Sequence, residues 1–264
     1  MDGAAAVWCS TALALKCRHR QIDMAELSFS QNPPSQKKNS RGKWRLSSRV
    51  ETQLLRVGLF LLLICLLLIG YGDRSVATYV KTFDRGVDGF FEIITTLGNS
   101  GIYLIPFGVI SIVLRLFSLI SRFQSRKKYI MKVYRSLLFL FLSIAISGII
   151  TDIFKFFFGR ARPLLLFKEN YYGFAFFQFS SDMWSFPSGH ANTIFALATA
   201  LFLLFPKGWP LYFFIAVLVG ASRVITGSHY PSDVIAGGYL AVLTTLYVKQ
   251  YFIFKKIDIF QKPR

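Results

Sequence analysis

A chain of 264 residues that is 53% hydrophobic and 17% aromatic, with 13 acidic residues against 31 basic ones, lacks the polar side chains to cover a soluble domain of its size. That composition excludes an ordinary soluble globule and points to an all-α, polytopic membrane protein. A formal charge of +18 would also suit a nucleic-acid partner, but the cations gather before residue 57, at 122–135 and after Lys249, flanking apolar runs, which excludes that partner in favour of a membrane.

Residues 1–50 turn rich in Ser, Gln, Asn, Pro, Lys and Arg after residue 24 and have no helical or strand period, so they read as a basic, disordered cytoplasmic tail ahead of a membrane domain at 51–264. The early stretch AAAVWCSTALAL has neither a basic region before it nor a small-residue cleavage site, and is not read as a signal peptide. Cys9, Cys17 and Cys65 are odd in number and imply no disulfide framework.

A hydrocarbon core of roughly 30 Å takes about 20 apolar residues in helical form. Six runs meet or approach that length, at 54–71, 102–120, 136–157, 191–205, 211–225 and 234–252, so the expected fold is a bundle of six transmembrane helices. The fourth and fifth are joined by PKGWP at 206–210, a tight helical hairpin. Arg115 lies near the end of the second run, where it is expected to snorkel. With the N-terminus cytoplasmic, the basic loop at 122–135, the turn at Lys207 and the basic C-terminal tail all fall on the inner side. The opposite side then collects the exit of the third run through Trp184, the start of the fourth at His190, and the junction between the fifth and sixth.

Polar residues concentrate on that outer side, in KFFFGRARP (155–163), FPSGH (186–190) and SRVITGSHYPSD (222–233). An ionisable group beside a lipid-embedded helix end is costly without a partner. Interfacial anchoring accounts for Lys155, Arg160 and Arg162 taken singly, but not for Arg223, which directly follows LYFFIAVLVGAS. A lone histidine usually packs in a core, yet two of the three in this chain, His190 and His229, stand here beside arginines. Several cations around two imidazoles would repel a divalent metal, and no GxSxG turn sets up Ser188 as a hydrolase nucleophile. The same set suits a phosphoryl group, whose transfer depends on positioning and on neutralising charge. Gly189 lets backbone approach a phosphate at a helix N-terminus, with His190 beside the leaving oxygen. Pro231 suits the first turn of the last helix, from which Asp233 can reach back to His229 Nδ1–H and leave Nε2 free to attack phosphorus.

The set K-x6-RP (Lys155, Arg162, Pro163), PSGH (Pro187, Ser188, Gly189, His190) and SR-x5-H-x3-D (Ser222, Arg223, His229, Asp233) resembles the signature of the type 2 phosphatidic acid phosphatase superfamily in order and separation, with no position substituted. The resemblance covers Lys155 to Asp233. It implies a six-helix membrane phosphatase with a phosphohistidine intermediate and neither metal nor other cofactor. Carried over residue by residue, His229 is the nucleophile, Asp233 orients it and His190 is the general acid. Lys155, Arg162 and Arg223 hold the phosphoryl oxygens, with Ser188 and Gly189 completing the cradle. Arg160 lies outside the signature and reads as a spare anchor or a headgroup contact, and Asp152 as a helix-face neighbour of Lys155.

The compact form resembles bacterial members that act on phosphatidate or phosphatidylglycerophosphate, on undecaprenyl diphosphate or on the phosphates of lipid A. The expected substrate is therefore a lipid phosphate, lipid A or a polyprenyl diphosphate, met on the periplasmic side of the inner membrane. Phosphatidate, phosphatidylglycerophosphate and phosphotransfer to a second lipid stay open. The aromatic loop at 168–184 either covers a headgroup or forms an interfacial belt. A transporter vestibule would call for charged or broken mid-membrane helices in repeated halves, which the sequence does not have.

Overall fold

Backbone polar groups in lipid must be paired within their own segment, and helices do this. The computed structural model describes residues 46–83, 85–120 and 125–260, and among these the chain is helical, with no strand and one isolated bridge between Arg160 and Phe174. The tail expected at 1–50 lies outside the described residues up to position 45, as does the end of the C-terminal tail.

Helix α1, Ser48–Val80, runs through a π-helical turn at Leu68–Gly72. It is followed by α2 (Arg85–Thr96), α3 (Gly101–Phe117), α4 (Lys127–Phe158), the short α5 (Pro163–Glu169), α6 (Gly189–Leu204), α7 (Trp209–Ile225) and α8 (Pro231–Phe254). Each of the six apolar runs lies largely within one of α1, α3, α4, α6, α7 and α8. Helix α2 was not expected from the sequence.

Four stretches of the described residues are long and apolar enough to cross a membrane: Ser48–Val80, Gly89–Phe117, Lys127–Phe158 and Pro206–Ile225. The outer two face outward with Leu55, Leu59, Phe60 and Leu63 on α1 and Ile105, Val109 and Ile112 on α3, all exposed. Helices α6 and α8 differ because protein surrounds them. Helix α6 has 16 residues, about 24 Å at 1.5 Å per residue, and buries Ala191, Asn192, Ala196, Ala198 and Ala200 among others. Helix α8 buries Ser232, Asp233, Gly237, Gly238, Thr244 and Thr245, a composition that lipid contact would not favour. Small residues let these two helices approach closely. At Gly237 a Cβ would meet the Ser188 carbonyl oxygen at 2.5 Å, so α8 lies directly against the start of α6. Phe139 of α4 and Phe252 of α8 meet edge to face at 5.3 Å in the core that fills the other end.

Helix α4 stops at Gly159, which adopts the left-handed conformation (φ 50°) that ends helices most cheaply at glycine. The chain then doubles back: Ala175 N–H donates to Gly159 O at 2.8 Å, Ala161 N–H to Gly173 O at 3.0 Å and Gln178 N–H to Phe156 O at 3.1 Å. This turn fixes where Arg160 and Arg162 emerge. A Cβ at Gly159 would lie 2.9 Å from the Ala175 carbonyl carbon, whereas Gly227 (φ 62°) has open space around it. Gly159→Ala is expected to lose about 1–3 kcal/mol, read as a lower melting temperature in detergent, and Gly227→Ala to lose no more than about 1 kcal/mol.

Candidate active site

His229 sits in the loop between α7 and α8, where its backbone N–H donates to Arg223 O at 3.1 Å. Its Nδ1 is 2.8 Å from the backbone carbonyl of Ser185. A carbonyl can only accept, so Nδ1 carries the proton and Nε2 keeps its lone pair. Asp233 Oδ2 lies 3.6 Å from Nδ1, farther than that carbonyl, and acts on the ring through its charge. The expected carboxylate contact to Nδ1–H is thus made by Ser185, with Asp233 one step behind it.

The oxygens of Asp233 are otherwise engaged. Oδ2 accepts from Ser185 Oγ at 2.6 Å and from Tyr230 N–H at 2.8 Å, the latter being the reach-back of a third helical residue to its N-cap. Oδ1 accepts from Arg160 Nη1 at 2.5 Å. Burial pushes the His229 pKa down, Asp233 works against that, and Arg223 and Arg162 add to the lowering. The net result is a neutral imidazole.

Arg160 is neither an anchor nor a headgroup contact. Its side chain is 1% exposed: Nη2 donates to Asp73 Oδ2 at 2.8 Å and to Tyr172 OH at 3.0 Å, Nη1 also donates to Ser232 Oγ at 2.7 Å, and the guanidinium lies 4.4 Å from the centre of the Tyr230 ring. Burial alone would lower its pKa, and Asp233 and Asp73 more than reverse that, raising it above the usual arginine value. An anchor reading prices Arg160 by itself, whereas two carboxylates from distant parts of the chain neutralise it here.

The remaining cations gather around His190 and His229. Lys155 Nζ is 3.0 Å from the position a Cβ would take at Gly189, and pairs at 2.8 Å with Asp152, which is 63% exposed and so holds it weakly. Arg162 is fixed through its backbone, whose N–H donates to Asp182 O at 2.9 Å, and burial lowers its pKa against the opposing charges of Asp182 and Asp233. Arg223 Nη1 donates to Thr95 Oγ1 of α2 at 2.7 Å. Ser188 caps α6 and gives its N–H to Asp233 O at 2.9 Å. His190 opens α6 against the α2–α3 turn, where a Cβ at Gly98 would lie 2.7 Å from its own Cβ. The charges acting on it are those of Arg223, His229, Lys155 and Arg162, so all eight predicted residues share one neighbourhood.

Arg162 Nε, Arg223 Nε and Ser188 Oγ are buried without a hydrogen-bond partner among the described residues. Buried donors in this state carry the full cost of lost hydration, and an anion with several oxygens removes it. No cluster of three or more His, Cys, Asp or Glu side chains that could ligate a metal occurs among the described residues. Sequence reasoning passed over Asp73, Thr95, Gly98 and Ser185. An acid just past the apolar run at 54–71 was a usable signal that Asp73 has a buried role, though not of its partner. Ser185 contributes a backbone carbonyl, which leaves no trace in residue type.

Inorganic phosphate is expected to raise the melting temperature of the wild-type protein, and Arg162→Ala or Arg223→Ala to weaken its binding by about 10-fold or more, as loss of a charge-assisted hydrogen bond does. Arg115→Ala, in the last turn of α3 and away from the α2–α3 turn that meets His190, should bind phosphate as the wild type does.

Residues 136–256 match the family model described as the PAP2 superfamily. A lipid A 1-phosphatase of Rhizobium etli is 37% identical over 122 residues, covering 44% of this chain and 53% of that protein. An undecaprenyl-diphosphatase of Sulfolobus acidocaldarius is 30% identical over 184 residues, 69% of this chain and 82% of that one. The chain spans about half or less of the lipid A 1-phosphatases it matches, 53% of the Rhizobium etli protein and 41% of one from Rhizobium johnstonii. Among solved structures, a transmembrane PAP2-type phosphatidylglycerolphosphate phosphatase from Bacillus subtilis has the same fold, with a TM-score of 0.55 over 79% of this chain and 98% of that one at 23% identity. The protein is a member of the PAP2 superfamily.

Proposed function

We propose that the protein is a metal-independent lipid phosphate phosphatase working through a phosphohistidine on His229. The observation that carries this reading is the trio of buried, unpartnered donors, Arg162 Nε, Arg223 Nε and Ser188 Oγ, beside a neutral imidazole with a free Nε2. His229 Nε2 attacks phosphorus, the P–O bond to the lipid breaks, and His190 gives its proton to the departing oxygen. Water then attacks the phosphohistidine, His190 takes a proton from it, the P–N bond breaks, and phosphate leaves with His229 restored. Lys155, Arg162 and Arg223 hold the phosphoryl oxygens as negative charge moves onto them, with Ser188 Oγ and the Gly189 backbone completing the cradle.

Helices α1, α3, α4, α6, α7 and α8 are the six spans in this reading. Basic residues at 126–135, Lys207 and Lys255–Lys256 support a cytoplasmic side there, and with it a site on the periplasmic face of a bacterial inner membrane. A site at helix ends meets a phosphate whose tail stays in the bilayer. Similarity to proteins named lipid A 1-phosphatase and undecaprenyl-diphosphatase supports lipid A or a polyprenyl diphosphate as substrate.

Phosphate release in detergent from lipid A, undecaprenyl diphosphate, phosphatidate and phosphatidylglycerophosphate tests the reading. Wild-type protein should release phosphate from one of the first two in the presence of EDTA. His229→Ala should abolish turnover while still binding inorganic phosphate, and Asp233→Asn should lower the rate by about 10²-fold or more. Because burial lowers the His229 pKa, protonation of this ring should limit kcat/KM only below about pH 6.5, the ordinary imidazole value. Loss of activity in EDTA with recovery on adding a divalent ion would contradict the metal-independent mechanism.

A further inference from the structure

Arg160 is spent on carboxylates and donates nothing toward the phosphoryl side, yet it touches every group that stands behind His229. We infer that Arg160, held from the first helix by Asp73, is a positioning residue for the nucleophile; this rests on the reading of His229 as the attacking group.

A continuous chain of contacts leads from α1 to the imidazole. Asp73 Oδ2 accepts from Arg160 Nη2 at 2.8 Å, Arg160 Nη1 reaches Asp233 Oδ1 at 2.5 Å, Ser185 Oγ donates to Asp233 Oδ2 at 2.6 Å, and Ser185 O accepts from His229 Nδ1 at 2.8 Å. The backbone closes the circuit, because Ser185 N–H donates to Arg160 O at 3.0 Å. Arg160 therefore holds Ser185 from two directions, once through its own carbonyl and once through Asp233. The π-helical turn at Leu68–Gly72 immediately precedes Asp73, and Tyr172 OH, which accepts from Arg160, donates to Ile69 O of that turn at 2.6 Å. Asp73 also accepts from Ser232, through its N–H at 3.2 Å and through its hydroxyl.

A planar fork is what this task requires, since one guanidinium spans two carboxylates, a hydroxyl and a phenol that a single ammonium could not. Replacing a buried ion-pair network by apolar groups is often neutral for stability, so a gain in folding energy does not account for it. Fixing one orientation of the ring does.

The charge arrangement yields a signature. Asp233 is paired with Arg160, which Asp73 also holds, with the uncharged Cys65, Tyr172 and Tyr230 around them; the charges that act on His229 besides Asp233 are those of Arg162 and Arg223, with His190 nearby. Removing Arg160 leaves two carboxylates behind the ring, so the pair takes up a proton at higher pH. Removing the charge of Asp73 leaves Arg160 facing Asp233 alone, so the pair takes it up at lower pH.

The test is the pH dependence of kcat/KM for wild type, Arg160→Met, Arg160→Lys and Asp73→Asn, with inorganic phosphate binding as the check on folding. Arg160→Met should lose about 10-fold or more in kcat with KM changed by less than about 2-fold, because it touches no phosphoryl oxygen. Its acid limb should move up by about 1 pH unit and that of Asp73→Asn down by a similar amount. Arg160→Lys should bring the limb back toward wild type while recovering little kcat. If Arg160→Met does not fold, the isosteric Asp73→Asn decides. Variants that lower only the melting temperature, with kcat and acid limb unmoved, would overturn the positioning role. Wild-type protein that releases no phosphate, or His229→Ala that still turns over, would instead overturn the phosphatase reading.

Discussion

A guanidinium 1% exposed, bound between two carboxylates that are themselves fully buried, is the constraint to which the candidate site is built. Leaving any one of Arg160, Asp73 or Asp233 buried and unpaired would cost several kcal/mol, so all three must arrive together. Asp73 comes from α1 just past its π-helical turn, Arg160 from the turn after α4 and Asp233 from the first turn of α8. Their meeting fixes the relative depth of three helices that apolar packing alone would allow to slide. The left-handed Gly159 and the close approach at Gly237 are the backbone concessions that make the meeting geometrically accessible.

Two sets of charge lie on either side of His229, and they differ in how they are satisfied. Behind the ring, each charge has partners within the protein. In front of it, Arg162 Nε, Arg223 Nε and Ser188 Oγ have none among the described residues, and the exposed Asp152 is the acid paired with Lys155. Cations held apart from counter-ions in a buried place repel one another. Such a cluster persists only if something else holds its members: here the Asp182 carbonyl accepts from the Arg162 N–H, the Asp233 carbonyl accepts from the Ser188 N–H, and the Thr95 hydroxyl accepts from the Arg223 guanidinium. The satisfied set pins the backbone on which the unsatisfied set is mounted.

The helices were legible in the sequence where lipid dictates composition. Helices α1, α3 and α4 follow the apolar runs because apolar length is what a bilayer selects, and the helical hairpin at 206–210 followed from its prolines and glycine. Helices α6 and α8 blur that signal, since their small and hydroxylated residues answer to neighbouring helices. The amphipathic α2 carries no run to betray it, although its Thr95 steadies Arg223. Of the site, the three signature blocks were visible as residue types at fixed spacings. Asp73 stood out only as an acid beside an apolar run; its link to Arg160 and to Asp233, 160 residues away, was not legible, because nothing local names the partner of a buried charge. Arg160 was visible but misread for the same reason: its cost was reckoned without the acids that offset it. The Ser185 carbonyl was invisible in principle, being a main-chain atom that any residue supplies.

A nucleophilic imidazole needs a lone pair on one nitrogen and a proton fixed on the other, and its surroundings pull in both directions. A carboxylate 3.6 Å away favours the imidazolium, while burial and the two arginines in front favour the neutral ring. Were Asp233 free to turn its full charge on Nδ1, the ring would bind its second proton more tightly and Nε2 would be occupied at neutral pH. Tying Oδ1 to Arg160 and Oδ2 to Ser185 and Tyr230 draws that charge elsewhere and leaves a neutral carbonyl as the direct partner of Nδ1. In the proposed mechanism the carboxylate remains near enough to favour positive charge on the ring once Nε2 has bonded to phosphorus. For the proposed nucleophile, an acid placed one hydrogen bond back leaves the resting ring neutral and would still stabilise the charged ring that attack creates.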